Sequence, residues 1–236
     1  MISTLRRAAL AATCLMLPAY AAGQAVPPAP PPPAPPPLSD YFVPATPTPK
    51  APDADGFLQR WLMLEPIVKP NRSNSGFTAR YVSEAFAASL PAGPAMAVPR
   101  DGDAARIAGA PRWHALDATR FDAKLFNFAQ GLGKPVYGVI FRAVTMVDAP
   151  REMRGVRLAV GSNSASKWWV NGSEAVGLYG DRRMVMDDGV SHPLTLHKGR
   201  NVIRGAVING PGLSDFCVRF LDADGQPIRD IVTTTK

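Results

Sequence analysis

The sequence predicts an all-β sandwich carried behind an export leader and a proline-rich stalk. Three observations lead there. From about Phe57 the chain is a succession of short segments rich in β-branched and aromatic residues. Turn residues separate these segments, with no long helical pattern between them. Thirteen of the 25 prolines fall between Pro27 and Pro52, so the compositional bias is local and ends where the strand-like segments begin. Short strands punctuated this often are the pattern of a sandwich or barrel.

Residues 1–22 carry a basic start at Arg6 and Arg7, a ten-residue apolar run from Ala8 to Leu17, and the small-x-small site Ala19-Tyr-Ala21. Ten apolar residues are too few to span a bilayer, and Pro18 ends the run. The segment is therefore expected to be a cleaved signal peptide that leaves no transmembrane anchor, with a periplasmic or secreted mature protein. Residues 23–55 are expected to form a disordered linker. Within it, Pro27-Pro-Ala-Pro-Pro-Pro-Pro-Ala-Pro-Pro-Pro37 cannot pair its backbone as helix or sheet, and it should run as an extended polyproline II spacer. Residues 56–236 are the folded domain.

Within the domain, strands are predicted at Val136–Val147, Val156–Val160, Lys167–Asn171, Val202–Ile208 and Phe216–Leu221. The turns between them are Gly161-Ser-Asn163, Asn171-Gly172, Lys198-Gly199, Asn209-Gly-Pro-Gly212 and Asp222-Ala-Asp-Gly225. One short helix is predicted over Ser83–Ser89, with Ser83 as its cap. Side chains alternate across a strand, so Phe216, Val218 and Phe220 share one face. Trp168 and Val170 share a face opposite Lys167, Trp169 and Asn171.

The formal charge is +7; removing Arg6 and Arg7 with the leader leaves 24 basic against 19 acidic residues, or +5. The excess is scattered, and its densest spot is Arg182-Arg183 beside Asp181. A nucleic-acid partner is not expected, because many phosphates must be neutralised together on one face. A weak attraction to anionic glycans or envelope surfaces fits the charge better. Of two cysteines, Cys14 lies in the leader, so Cys217 is left alone as a small buried hydrophobe in a strand.

No catalytic constellation stands out. His114, His192 and His197 are accompanied by no Gly-x-Ser-x-Gly elbow. Asp187-Asp188 precedes Gly189 as turn chemistry, and adjacent residues on an extended segment point apart, which does not suit a glycosidase pair. The second acidic turn, Asp222 and Asp224, leaves a structural calcium ion open, although the later glutamate of a full calcium loop is missing. No zinc spacing and no phosphate loop are present, and no other cofactor is expected.

The stretch from Val156 to Gln226 resembles the galactose-binding-like jelly roll of the glycoside hydrolase family 2 sugar-binding domain and related carbohydrate-binding modules. The residues that carry the resemblance are Lys167-Trp-Trp-Val-Asn-Gly172, Val176-Gly177 with Tyr179, Leu194-Thr-Leu-His-Lys-Gly-Arg-Asn-Val-Ile203 and Asp222-Ala-Asp-Gly225. Upstream, Trp61-Leu-Met-Leu-Glu-Pro66 is similar to the opening of such domains in secreted esterase-like proteins, with Glu65 where glycine is usual. The resemblance implies a non-catalytic module that binds a carbohydrate or cell-envelope glycan, or that supports a carbohydrate-active enzyme. Two other readings remain open: a detached accessory domain of an esterase or glycosidase, and a structural or protein-interaction module of the envelope without a sugar site.

The candidate ligand residues are Trp169, Tyr179, Asp181, Arg182 and Arg183, which cluster in sequence around one hairpin and its following loop. Aromatic rings stack on the apolar faces of sugars, while carboxylates and guanidinium groups meet hydroxyls and acid groups. For Trp169 the packing role is the favoured of the two readings. Trp168, Trp61 and Trp113 are expected in the core.

Overall fold

A computed structural model describes residues 38–89 and 97–235. The expected signal peptide and the proline run up to Pro37 lie outside the described residues. In chain order the elements are a 3-10 turn at Leu38–Asp40, β1 (Phe42–Pro44), β2 (Arg60–Val68), α1 (Ala79–Ser89), β3 (Trp113–Ala118), α2 (Leu125–Gly131), β4 (Val139–Ala149), β5 (Met153–Ser162), β6 (Ala165–Val170), β7 (Ser173–Leu178), β8 (Gly189–Val190), β9 (Leu194–Leu196), β10 (Gly199–Asn209), β11 (Phe216–Leu221) and β12 (Val232–Thr234).

All the strand pairs are antiparallel. A large sheet has the order β1-β3-β2-β4-β10-β6-β7, and β12 extends the line of β2 along β4. A smaller sheet holds β11-β5-β8, with β9 also on β5. The centre of the large sheet is the β4–β10 pair, in continuous register from Gly199↔Ala149 to Asn209↔Val139. The β6–β7 hairpin turns on Asn171 and Gly172, both at positive φ (49° and 86°), as the Asn-Gly pair requires.

Alternation decides what the two sheets bury between them. Trp61, Met63, Phe141, Trp168, Ile203 and Val207 come from the large sheet, and Leu158, Val160, Phe216, Val218 and Phe220 from the small one. At the centre Trp61, Trp168 and Phe216 meet edge to face, with ring centroids 5.0–5.9 Å apart. Such geometry adds to the area they bury. Gly205 lies opposite Trp168 in the ladder, and a Cβ there would overlap the indole ring. Trp113 is buried, but in a second cluster on the outer face of the large sheet, with Leu62, Leu64 and Val144.

The predicted helix is longer than Ser83–Ser89. It starts at Ala79 because Val82, Ala85 and Phe86 form a helical stripe that seats on Ile140, Ala206 and Ile208. Thr78, not Ser83, supplies the cap: its Oγ1 accepts from Tyr81 N at 3.3 Å. Ser83 is interior to the helix and its Oγ accepts instead from Lys167 Nζ at 3.1 Å. Arg142 reaches up from β4 to the other end of the helix and donates to Phe86 O and Ser89 Oγ. Burial lowers the guanidinium of Arg142 to about 10. The second helix, α2, has no counterpart in the prediction; Leu125, Phe128 and Ala129 give it a one-sided buried stripe.

The expected linker boundary at residue 55 is corrected by the structure. Residues 42–44 form the edge strand β1, with Phe42↔Ala118 through Pro44↔Leu116 in register, and Phe42 belongs to the main core. Lys50 and Thr233 exchange backbone hydrogen bonds at 3.0 and 2.7 Å. The buried Arg60 donates to Asp117 from Nε (2.7 Å) and Nη2 (2.9 Å), to Thr46 Oγ1 (3.3 Å) and to Thr48 O. Prolines on an edge strand need no inward-facing donor, so this segment packs in spite of its composition.

Candidate functional site

The five residues grouped by sequence do not line one recess: Trp169 and Tyr179 share the α1 cluster, while Arg182 and Arg183 lie apart from it. Trp169 stands on the outer face of β6, packed against the α1 cluster, with Lys167 Nζ 5.9 Å from its ring. Tyr179 packs on the same cluster and folds its ring back over Gly177. Asp181 accepts from Asn74 Nδ2 at 3.0 Å. Arg182 turns the other way and is paired with Asp188 through Nε (3.0 Å) and Nη2. Arg183 is exposed. Trp169, Lys167, Ser83, Phe86 and Ala87 line a shallow recess of about 150 Å³; the other four residues are not part of it.

The loop beyond Arg182 is stapled to the outer face of the small sheet. Asp187, at φ 58°, takes Arg219 through Nε at 3.0 and 3.1 Å and through Nη2, while Asp188 takes Arg182. The adjacent carboxylates thus point to different arginines. Met184 N donates to Asn163 Oδ1, and the Val185 carbonyl lies where a side chain at Gly161 would be. Beneath this loop Cys217 is buried, 3.7 Å from Met184 Sδ, and burial pushes its thiol up to about 12. In the other acidic turn, Asp222 Oδ1 accepts from Asp224 N (3.0 Å) and Gln226 N (2.8 Å). Among the described residues no group of three or more His, Cys, Asp or Glu is placed to hold a metal ion.

Two clefts collect polar side chains from separate parts of the chain. The larger, of about 680 Å³, is lined by Ala45, Thr46 and Pro47 from the segment after β1, by Val98 to Asp101, by Ala115 and Met146, and by Arg200 and Thr235. Each wall has a local cause. The 45–47 wall is held from below by the buried Arg60–Asp117 pair. The 98–101 wall ends in a tight turn: Asp103 N donates to Arg100 O at 3.2 Å, and Gly102 sits at φ 80°, the third-position geometry of a type II turn. That turn is tied to β3 by Ala115 N, which donates to Asp101 Oδ1 at 2.8 Å. Val98, Pro99 and Ala115 give the cleft apolar surface above the buried Met146, while Arg100, Asp101, Arg200, Thr46 and Thr235 give it polar groups.

The smaller cleft, of about 400 Å³, lies between the β6–β7 hairpin and the segment from Ser191 to His197. Asn171, Ser173, Glu174, His192, Thr195 and His197 line it. Glu174 is held by Lys167 at 2.7 Å, and Asn171 Nδ2 donates to Asn201 Oδ1 at 2.9 Å. Sequence reasoning noted both histidines without placing them together. Their five-residue spacing around β9 was the available signal.

The chain matches no protein-family model and no curated protein. Among solved structures it is similar to a PA14 sugar-binding domain from an RTX adhesin, at 13% identity and a TM-score of 0.40 over 73% of this chain and 95% of that one. It is also similar to the PA14 domain of an antifreeze protein, at 12% identity and a TM-score of 0.41 over 73% and 89% of the two chains.

Proposed function

We propose that this chain is a non-catalytic carbohydrate-binding or accessory module, of the galactose-binding-like jelly-roll kind, that acts in the periplasm or outside the cell. One observation carries the reading: the 680 Å³ cleft joins an apolar floor to a rim of two guanidinium groups, a carboxylate and two hydroxyls. Small-ligand sites have volumes of about 300–1,000 Å³ and combine apolar lining with a few placed polar groups. A sugar ring matches that combination, with its C–H face on Val98, Pro99 and Ala115 and its hydroxyls at the rim.

The side chains around the cleft are those of recognition; the rim offers no nucleophile with an adjacent base. A carbohydrate-active partner would then supply any chemistry, with the proline-rich segment as a spacer that holds the module off a surface. Trp169 marks a second location, since its recess offers an aromatic edge beside Lys167 and Ser83. A glycan array probed with the purified protein tests the reading. Retention of a defined saccharide class supports it, and an array without any retained glycan removes it in favour of a protein-interaction module.

A further inference from the structure

We propose that the larger cleft selects a saccharide bearing a carboxylate, which Arg100 and Arg200 hold between them. This rests on the carbohydrate-binding reading and narrows it to acidic sugars.

The cleft has more guanidinium hydrogen-bonding capacity than its own acids take up. Arg100 uses its backbone N–H on Asp103 Oδ2 at 2.8 Å, while its guanidinium has no carboxylate within ion-pair distance among the described residues. Arg200 has Asp148 Oδ1 at 4.0 Å, the outer limit of a pair, with its side chain 54% exposed. The lining carboxylate, Asp101, already spends Oδ1 on the Ala115 N–H. Asp101, Asp103 and Asp148 surround the two arginines, so the cleft carries no net positive charge; what it offers is the Arg100 fork and an Arg200 fork that Asp148 holds only at 4.0 Å.

The form of these groups points to a carboxylate. A guanidinium presents a planar fork that matches a carboxylate, as it does a phosphate, with two parallel hydrogen bonds. Many phosphate sites add runs of backbone N–H groups at a helix start or nest, and the segments lining this cleft are strand, turn and proline-containing backbone, so the carboxylate is the anion assigned here. The rest of the lining suits the remainder of a sugar. Asp101 Oδ2 can accept from a ring hydroxyl. Thr46 Oγ1 accepts from Arg60 at 3.3 Å and keeps its own proton to donate. Val98, Pro99 and Ala115 offer apolar contact for the ring face. Charge screening gives a further signature, because an interaction made at a half-exposed rim weakens with salt.

Isothermal titration calorimetry on the purified protein with trigalacturonate, its methyl ester and neutral galactotriose decides the matter. The expected result is at least tenfold tighter binding of trigalacturonate than of the ester or the neutral sugar, weakening as salt rises. Arg100→Gln and Arg200→Gln should each lose at least tenfold while thermal unfolding stays unchanged. If the neutral sugars bind as tightly as the acid, the carboxylate selection is wrong and the carbohydrate reading stands. If the acid is preferred but both arginine variants bind as wild type, while Glu174→Gln or His192→Ala abolishes binding, the site is the smaller cleft and the proposal falls. If none of the three binds and a glycan array is also blank, both the proposal and the reading beneath it are overturned.

Discussion

Replacing Arg60 with alanine should unlock the segment that walls the larger cleft. Arg60 is 2% exposed and Asp117 6%, and their guanidinium and carboxylate make two hydrogen bonds of 2.7 and 2.9 Å. Removing one partner leaves the other charge buried, which costs roughly 3–5 kcal/mol. Lys50 Nζ, 3.8 Å from Asp117 Oδ2, compensates part of that charge, so the loss should fall near the lower end, about 3 kcal/mol. For a domain of about 200 residues this corresponds to a fall in Tm on the order of 6–12 °C. The contacts to Thr46 and Thr48 go as well, so limited proteolysis should newly cut between residues 45 and 50. The double variant Arg60→Met with Asp117→Leu removes both charges and should regain most of the stability while keeping the new cleavage. Thermal unfolding with mass mapping of the fragments reads both effects. If Arg60→Ala loses under 1 kcal/mol and the 45–50 region stays protected, the buried pair does not hold this wall.

Three further outcomes follow from the packing and the titrations. Gly205→Ala should cost roughly 1–3 kcal/mol in urea unfolding, since its methyl overlaps the Trp168 ring, and a neutral result would mean that the indole can move aside. Cys217, with its thiol at about 12, should resist an aromatic disulfide reagent at pH 8 in the native protein and react at once in denaturant; rapid native labelling would show that the 184–188 loop opens readily. For Glu65, burial raises the carboxyl, but hydrogen bonds from Lys134, Arg112 and His114 prevail and hold it below its ordinary value of 4.5. A carboxylate depressed in the folded state stabilises above its unfolded value and loses that contribution as pH falls through its folded one. The stability gap between wild type and Glu65→Gln should therefore close as pH drops below 4.5; a gap that is constant through that range would remove the assignment.

The strands were legible where alternation is strong. Phe216–Leu221 was read with its bounds and both faces, because three large apolar residues alternate on one side. The Asn171-Gly172 hairpin was legible because its backbone requires two consecutive positive φ values. The 38–55 segment was not, since proline content signals an unpaired backbone, while the fixing contacts come from Arg60 and Thr233, distant in the chain. Helix α2 was missed because its seven residues, Leu125–Gly131, are too few for a helical period to register.

The site was the least legible part. Tyr179, Asp181 and Arg182 are neighbours in sequence, yet their partners lie at α1, Asn74 and Asp188 respectively. The larger cleft has the opposite character: its walls come from residues near 45, 100, 146, 200 and 235, and nothing local in any of those stretches marks it. Juxtaposition of that kind is a property of the sheet order, in which β12 follows β2 along β4, sets Thr234 opposite Met146 and so delivers Thr235 to the cleft.

The most direct measurement is an NMR titration of the isotope-labelled protein with the saccharide that it retains on an array. Saturable amide shifts are expected at residues 45–47, 98–101, 146, 200 and 235. Shifts confined to residues 171–175 and 191–197, or to the 179–183 loop, would contradict the assignment to the larger cleft.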